Sequence, residues 1–229
     1  SQLGGLNSFS GKIAAGIAGV FAAVKIKDFV ADSVQTYREY QSSINNTAAI
    51  AGVAAGTEEY QKLDKAARDA GKATVKTAKE AADALGYMAL AGWSVDDSAT
   101  ALMPVLKLSA ATETDLATTS DLVTDSMANL GLGINDLNHY LDVSVAANNK
   151  SNQTAMQLQE AYLGVGGVLK NLHAPIEDGA AVLGVLANRG TKGSEAGTAL
   201  NAILVNMQKK SGDSAAAMAK LGVSMYDSN

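Results

Sequence analysis

The amino-acid sequence predicts an all-α protein, a multi-helix bundle of short helices and helix-turn-helix units preceded by one long N-terminal helix. Three observations carry that expectation. Of the 229 residues 42 are Ala and only 2 are Pro, and Ala, Leu, Lys, Glu and Gln favour helix, whereas a many-stranded sandwich needs Val, Thr, Tyr and frequent turn pairs. Apolar residues recur at spacings of three and four. Cap residues followed three positions later by an acid mark successive helix starts. The 47% hydrophobic content is ample for a chain of this length to bury roughly 70–75% of its unfolded surface. With 42 Ala and 22 Gly against 3 Phe and 1 Trp, the helices must pack through small side chains.

The first periodic segment runs from about Lys12 to Ile44, with Ile13, Ile17, Val20, Val24, Phe29 and Val34 at helical spacings. Residues 1–46 are therefore read as one long helix, apolar first and amphipathic later, and 47–229 as the helical core region. Thr57 before Glu58 and Glu59 reads as an N-cap followed by acids that suit the positive helix terminus. Lys62, Lys65, Arg68, Lys72, Lys76 and Lys79 would form one basic stripe only if that helix passed unbroken through Gly71, and a break is expected. Thr77-Ala-Lys-Glu80 is a capping box opening a helix that ends near Gly92. Trp93 staples the junction and Ser94 caps the next element, with Asp97 three residues on. Pro104 predicts a kink or restart there. Thr112-Glu-Thr-Asp115 opens the following helix and Gly131 ends it. Further helices are expected at about 135–149, 153–172, 175–188 and 194–210, with Pro175 in a first turn, Ser194 as a cap, and a short helix near 214–221. Segments 84–110 and 165–191 coincide at Gly86/Gly167, Asp97/Asp178, Ala99/Ala180 and Leu102/Leu183, an offset of 81 that suggests weak internal duplication.

Charge and motif content exclude several kinds of chemistry. With no cysteine there is no disulfide, thiolate metal site or thiol nucleophile. The net charge of −5 is distributed as +3 over 1–79, −9 over 80–149 and +1 over 150–229, so no specific nucleic-acid binding is expected. The only histidines, His139 and His173, have no second histidine at zinc-binding spacing. The acid pairs Glu58/Glu59, Asp96/Asp97 and Glu177/Asp178 each fall in a first helical turn, which the helix dipole explains without glycosidase chemistry. Asn188 to Gly197 lacks the order of a phosphate loop and no strand precedes it, so a tight interhelical turn is expected there. Gly164-Val-Gly-Gly167 reads as a site of close helix packing. The basic stripe contains Glu58/Lys62 and Asp64/Arg68 at i,i+4, the pattern of a solvated face. No catalytic, cofactor-binding or metal-ligating residue is assigned.

The charge-free run Ile13 to Val24 has 12 residues, short of the roughly 20 needed to span a bilayer. Ile13, Ile17, Val20, Phe21 and Val24 are read as self-association residues, with insertion into a host membrane as the second reading. Ser1 in place of an initiator Met, and an end at Tyr226-Asp-Ser-Asn229, lead us to expect a piece of a longer chain.

From residue 47 onward, several phrases resemble the core region of phage tail tape-measure proteins. Thr77 to Ser94, ending Ala-Gly-Trp-Ser, is similar to that family's helix and turn. Val95 to Ser109, Asp121 to Leu132 and the Asn/Ser/Thr-rich Ala146 to Thr154 resemble its next helices and link. Leu183 to Leu200, containing Gly193-Ser-Glu-Ala-Gly197-Thr-Ala-Leu200, is the most specific match, and Leu221 to Asp227 resembles the phrase that trails it. The resemblance covers about 180 of the 229 residues. It implies a mostly helical structural protein that sets tail length during assembly, occupies the tube lumen or tail tip and leaves with the genome at infection. The implied partners are further copies of itself, the tail tube protein and tail-assembly or tail-tip proteins. It implies no cofactor and no catalytic residue, and it marks Trp93, Ser94, Gly193, Ser194 and Gly197 as motif turns and caps. One continuous helix of this length would extend about 340 Å, whereas the punctuation predicts a compact bundle with a radius of gyration near 17 Å by chain-length scaling. This region is therefore expected to be a poor ruler. A liposome-leakage assay separates the two readings of the N-terminal helix: the self-association reading predicts no leakage, and leakage abolished by deleting residues 1–45 would establish membrane insertion.

Overall fold

Helix starts in this chain are fixed by short side chains that reach back to the backbone. In the computed structural model, which describes residues 31–209 and 212–222, Thr57, Thr77, Ser94, Asp115 and Thr154 each accept a hydrogen bond from the backbone N–H three positions on, at 3.3, 3.1, 3.1, 2.8 and 3.1 Å. Thr77 with Glu80 completes its capping box, and Thr154 with Gln157 forms another. Each such cap is worth about 1 kcal/mol.

The described residues form ten α-helices and one 3₁₀ turn, with no strand among them. Helix α1 occupies 31–50. It is followed by α2 (Glu58–Ala73), α3 (Ala78–Leu90), α4 (Val95–Ala111), α5 (Leu116–Leu130), the 3₁₀ turn Ile134–Asp136, α6 (Leu137–Lys150), α7 (Ala155–Asn171), α8 (Ile176–Asn188), α9 (Gly193–Met207) and α10 (Asp213–Leu221). The all-α bundle expected from composition is what forms.

Its order is a two-layer array. Helices α2, α4, α6 and α8 lie side by side, as do α3, α5, α7 and α9, and each even helix also packs on the odd helix that follows it. Helix α10 rests on α9. At the other end, α1 closes the array: Thr47 Oγ1 donates to the Ala82 carbonyl at 2.6 Å, Tyr40 OH donates to Asp64 Oδ1 at 2.6 Å, and Ser43 Oγ donates to Asp83. Stacked helix pairs of this kind contact mainly their neighbours, so stability is close to a sum of pair and interface contributions.

The faint duplication has a structural counterpart. Helices α3 and α7 end at Leu90 and Asn171, and α4 and α8 begin at Val95 and Ile176, so both boundaries repeat at the offset found between the two sequence segments. Leu102 and Leu183 are buried in equivalent places. The glycines do not correspond in role, because Gly86 backs onto Thr47 whereas Gly167 faces open space.

Four expectations require correction. Helix α1 does not end near Ile44; burial of Ile44, Thr47 and Ala48 carries it to residue 50, where Gly52 at φ +69° allows the exit. Of the kink or restart expected at Pro104, the restart does not occur, since α4 runs through to Ala111. The carbonyl that loses its N–H partner there belongs to Thr100, which is exposed and can be hydrated. Gly71 does not interrupt α2; it lets Ala78 approach, and the break falls at Thr74 instead. Ser194 is not the cap of α9, because the helix starts at Gly193 and the capping position falls on Lys192, without a side-chain cap.

Among the described glycines, the closest backbone approach is between α7 and α9. A Cβ on Gly197 would stand 2.1 Å from the Ala161 carbonyl oxygen, and one on Gly164 would stand 3.2 Å from the Gly197 carbonyl carbon. Asn201 Nδ2 donates to the Gly164 carbonyl at 2.7 Å across the same contact. Gly197→Ala should therefore destabilise the fold by about 1–3 kcal/mol or more. Gly167→Ala, in open space on α7, should stabilise it by about 0.5–1 kcal/mol through helix propensity. Urea unfolding of the two variants measures both, and shifts of the same sign would contradict the assignment.

Candidate functional site

The charged side chains show no convergence on a reactive centre. All six cations of the basic stripe are paired: Lys62 with Asp96 at 2.9 Å, Lys65 with Asp69 at 2.7 Å, Arg68 with Asp64 at 2.9 Å, Lys72 with Asp69 at 3.8 Å, Lys76 with Glu80 at 3.9 Å and Lys79 with Asp83 at 2.7 Å. The stripe is a neutralised, solvated face rather than an anion-binding one. Lys62 to Asp96 ties α2 to α4, and the others act within one helix or across a helix start. Exposed pairs like these contribute little individually.

Each acid pair singled out in the sequence lies in the first turn of a helix: Glu58 and Glu59 in α2, Asp96 and Asp97 in α4, Glu177 and Asp178 in α8. Glu177 Oε1 is also 2.8 Å from His139 Nε2, and both side chains are more than half exposed. His173 occupies the turn between α7 and α8 with φ +53°. Among the described residues no cluster of His, Asp and Glu could hold a metal ion, and no helix is long and apolar enough to cross a membrane.

Titration is perturbed by caps and burial. The Thr77 backbone N–H holds the Glu80 carboxyl below its usual range, and Thr118 does the same for Asp115 through its side chain and backbone N–H. Burial pushes the Tyr140 and Tyr162 phenols well up. Tyr140 OH shares a hydrogen bond with Ser126, and Tyr162 OH donates to the Ile176 carbonyl at 2.7 Å, so both are structural.

What the array offers is surface. Adjacent even-layer helices enclose shallow grooves floored by small or apolar residues. Between α2 and α4 the floor includes Ala66, Ala70 and Ala99; between α4 and α6, Leu108, Ala111 and Val145; between α6 and α8, Ala147, Ala180 and Gly184. The last encloses about 380 Å³. Lys62 and Lys65, then Lys107, then Lys150 stand along the three grooves in turn. The first described turns of α1 are exposed over residues 31–39, with Val34 at 45% and Tyr37 at 56%.

Of the motif residues, Ser94 caps α4 by accepting from the Asp97 N–H, and Trp93 is half-buried against the core. Gly193 and Gly197 both set α9 against α7, Gly193 facing Glu160. Trp93 and Ser94 lie at the α3–α4 turn, so the structure does not gather the motif residues into one site. Ile13, Ile17, Val20, Phe21 and Val24 lie outside the described residues. Sequence reading missed the grooves, since each floor is shared by two helices that have another helix between them in the chain. The only signal was the density of Ala on both helices.

A family model described as phage-related minor tail protein matches residues 64–229. The chain is 34% identical over 201 residues to the tape measure protein of Pneumococcus phage Dp-1, covering 88% of this chain and 17% of that protein. It is 29% identical over 229 residues to the probable tape measure protein of Escherichia phage P2, covering 99% of this chain and 27% of that protein. The chain thus spans about a sixth to a quarter of these relatives. No solved structure matches it.

A charge repulsion lies on α5, where Asp121 and Asp125 are four residues apart and exposed, with no cationic partner among the described residues. Desolvation first, and then Asp125, raises the Asp121 carboxyl above its usual range. A raised carboxyl means that ionisation costs more in the folded state, so the penalty is present at neutral pH and vanishes once both states are protonated. Asp121→Asn should therefore stabilise the protein by a few tenths of a kcal/mol at pH 7. The gain should disappear below about pH 3, under the unfolded Asp value of about 3.9. Thermal melts at the two pH values measure this, and an equal gain at both would contradict it.

Proposed function

Because the chain belongs to the phage-related minor tail protein family, we propose that it is a segment of a tape-measure protein, a structural component of the tail that acts through helix surfaces meeting other polypeptides. The observation that carries the reading is the family match across 64–229, the stretch that builds most of the two-layer array. The closest approach its described glycines make falls within the most specific motif, at Gly197. In this reading the parent protein takes part in tail assembly and length determination, resides in the tube lumen or tail tip, and leaves with the genome. Its partners are further copies of itself, the tube protein and tail-assembly or tail-tip proteins. No catalytic role is assigned to this segment.

Residues 1–46 serve self-association in this proposal and 47–229 are the core region, with α1 crossing the boundary between them. The exposed stretch 31–39, presenting Val34 and Tyr37, supports packing against other copies, since an amphipathic helix gains stability by covering its apolar flank.

Paired short helices make a poor ruler, because a residue in a folded array adds far less length than it adds along one continuous helix. The segment therefore opens, or lies near a tube end, once several copies share the lumen. Cryo-electron microscopy of tails tests this. The expected result is either extended density or density confined to a tube end, and several compact copies of residues 80–210 side by side in the central tube would overturn it.

A further inference from the structure

The two ends of the array are finished differently. At the first, α1 covers the opening pair: Tyr40 and Ile44 are buried there, and Tyr40, Ser43 and Thr47 donate hydrogen bonds to Asp64, Asp83 and the Ala82 carbonyl. At the last, α8 and α9 turn an apolar flank outward. Ala180 and Gly184 of α8 face the groove beside α6, which leaves Asp178, Val182, Val185 and Arg189 as one exposed stripe. Gly197 and Asn201 of α9 face α7, which leaves Ala199 and Ile203 on the other side. Val182, Val185 and Ile203 are 45%, 61% and 47% exposed. No charged residue lies between Asp178 and Arg189 or between Glu195 and Lys209. Helix α10 rests on α9 without closing this flank. A stacked array needs a polar outer face on its terminal pair to stay soluble, and this pair lacks one.

The start of α1 matches that flank. Tyr37 stands seven residues before Ile44 on the same stripe, yet Tyr37 and Val34 are exposed where Ile44 is buried. Upstream, Ile13 to Val24 carries no charge, like the flank itself. The charges bordering the two apolar patches also correspond. Asp32 precedes Val34 and Tyr37 and Arg38 follows them; Asp178 precedes Val182 and Val185 and Arg189 follows them. None of these four charges has an ion-pair partner among the described residues. Antiparallel packing brings each acid toward the base of the other helix. Residues 31–39 span only about 14 Å as helix and are anchored on α2 and α3, with α4 to α7 between them and the α8–α9 pair. The matching stretch must therefore come from another copy.

We propose that the outer flank of α8 and α9 receives the start of α1 from a second copy, in a head-to-tail contact. This rests on the self-association reading of residues 1–46 and names the surface that receives them. Such a contact is heterologous, so it adds copies in line instead of closing a two-fold dimer.

The chain has no cysteine, so introduced thiols report the contact without background. Val34→Cys and Val182→Cys nearly conserve volume at exposed sites and should leave the fold intact. The two variants of the full chain are purified separately, mixed and oxidised, with Val75→Cys, at an 89% exposed site, as the control for random collision. The mixture of Val34→Cys with Val182→Cys should form a disulfide-linked dimer at least about tenfold faster than either variant mixed with Val75→Cys, because the contact raises the effective thiol concentration. Val182→Cys linking only to itself would overturn the proposal in favour of a two-fold pairing. Association of the chain without the 34-to-182 link would overturn it while leaving self-association in place. A chain that stays monomeric throughout would overturn both.

Discussion

The backbone of α9 lies against the backbone of α7 because Gly197 has no side chain to hold them apart, and the architecture follows from that kind of contact. A Cβ at this position would overlap the Ala161 carbonyl. Small residues recur where helices meet: Ala81 and Ala84 are fully buried on α3, Ala101 on α4, Ala161 on α7 and Ala196 on α9. With little side-chain volume available, core stability has to come from closely spaced helices and many short contacts rather than from large aromatic residues. The array accepts short helices because each needs only its neighbours for burial.

This explains what was legible in the sequence. Helix starts are local events, so Thr57, Thr77 and Ser94 could be read directly, whereas in Thr112 to Asp115 the cap of α5 is Asp115 and Thr112 closes α4; Gly131 announced the end of α5 through its left-handed conformation. At Pro104 the sequence left a kink or a restart open, because the tolerance of a proline depends on whether the freed carbonyl of Thr100 reaches water, which is a tertiary fact. Ser194 was misread because Gly193 at φ +57° moves the helix start one residue earlier. The end of α1 was misplaced since Ile44, Thr47 and Ala48 become core only once α2 and α3 lie beneath them.

The surface was less legible than the fold. The basic stripe drew notice as charge, but its pairing depends in part on Asp96, which reaches Lys62 from a different helix. The grooves between alternate helices were invisible because the side chains that floor them come from elements distant in the chain. Resemblance to tape-measure proteins carried the functional class, and residue patterns alone would have stopped at a helical protein without reactive groups. Packing glycines and caps look alike in any helical protein, so by themselves they point to no particular family.

The central claim is that this segment contributes through surfaces that its closely packed helices hold in place. It is tested most directly by placing Gly197→Val in the parent gene of a phage that carries this chain, then counting plaques and imaging tails by electron microscopy. The account predicts that tails fail to assemble or lose infectivity while the protein is still made, because the branched side chain cannot fit beside the Ala161 carbonyl. Normal tails at wild-type titre would contradict it.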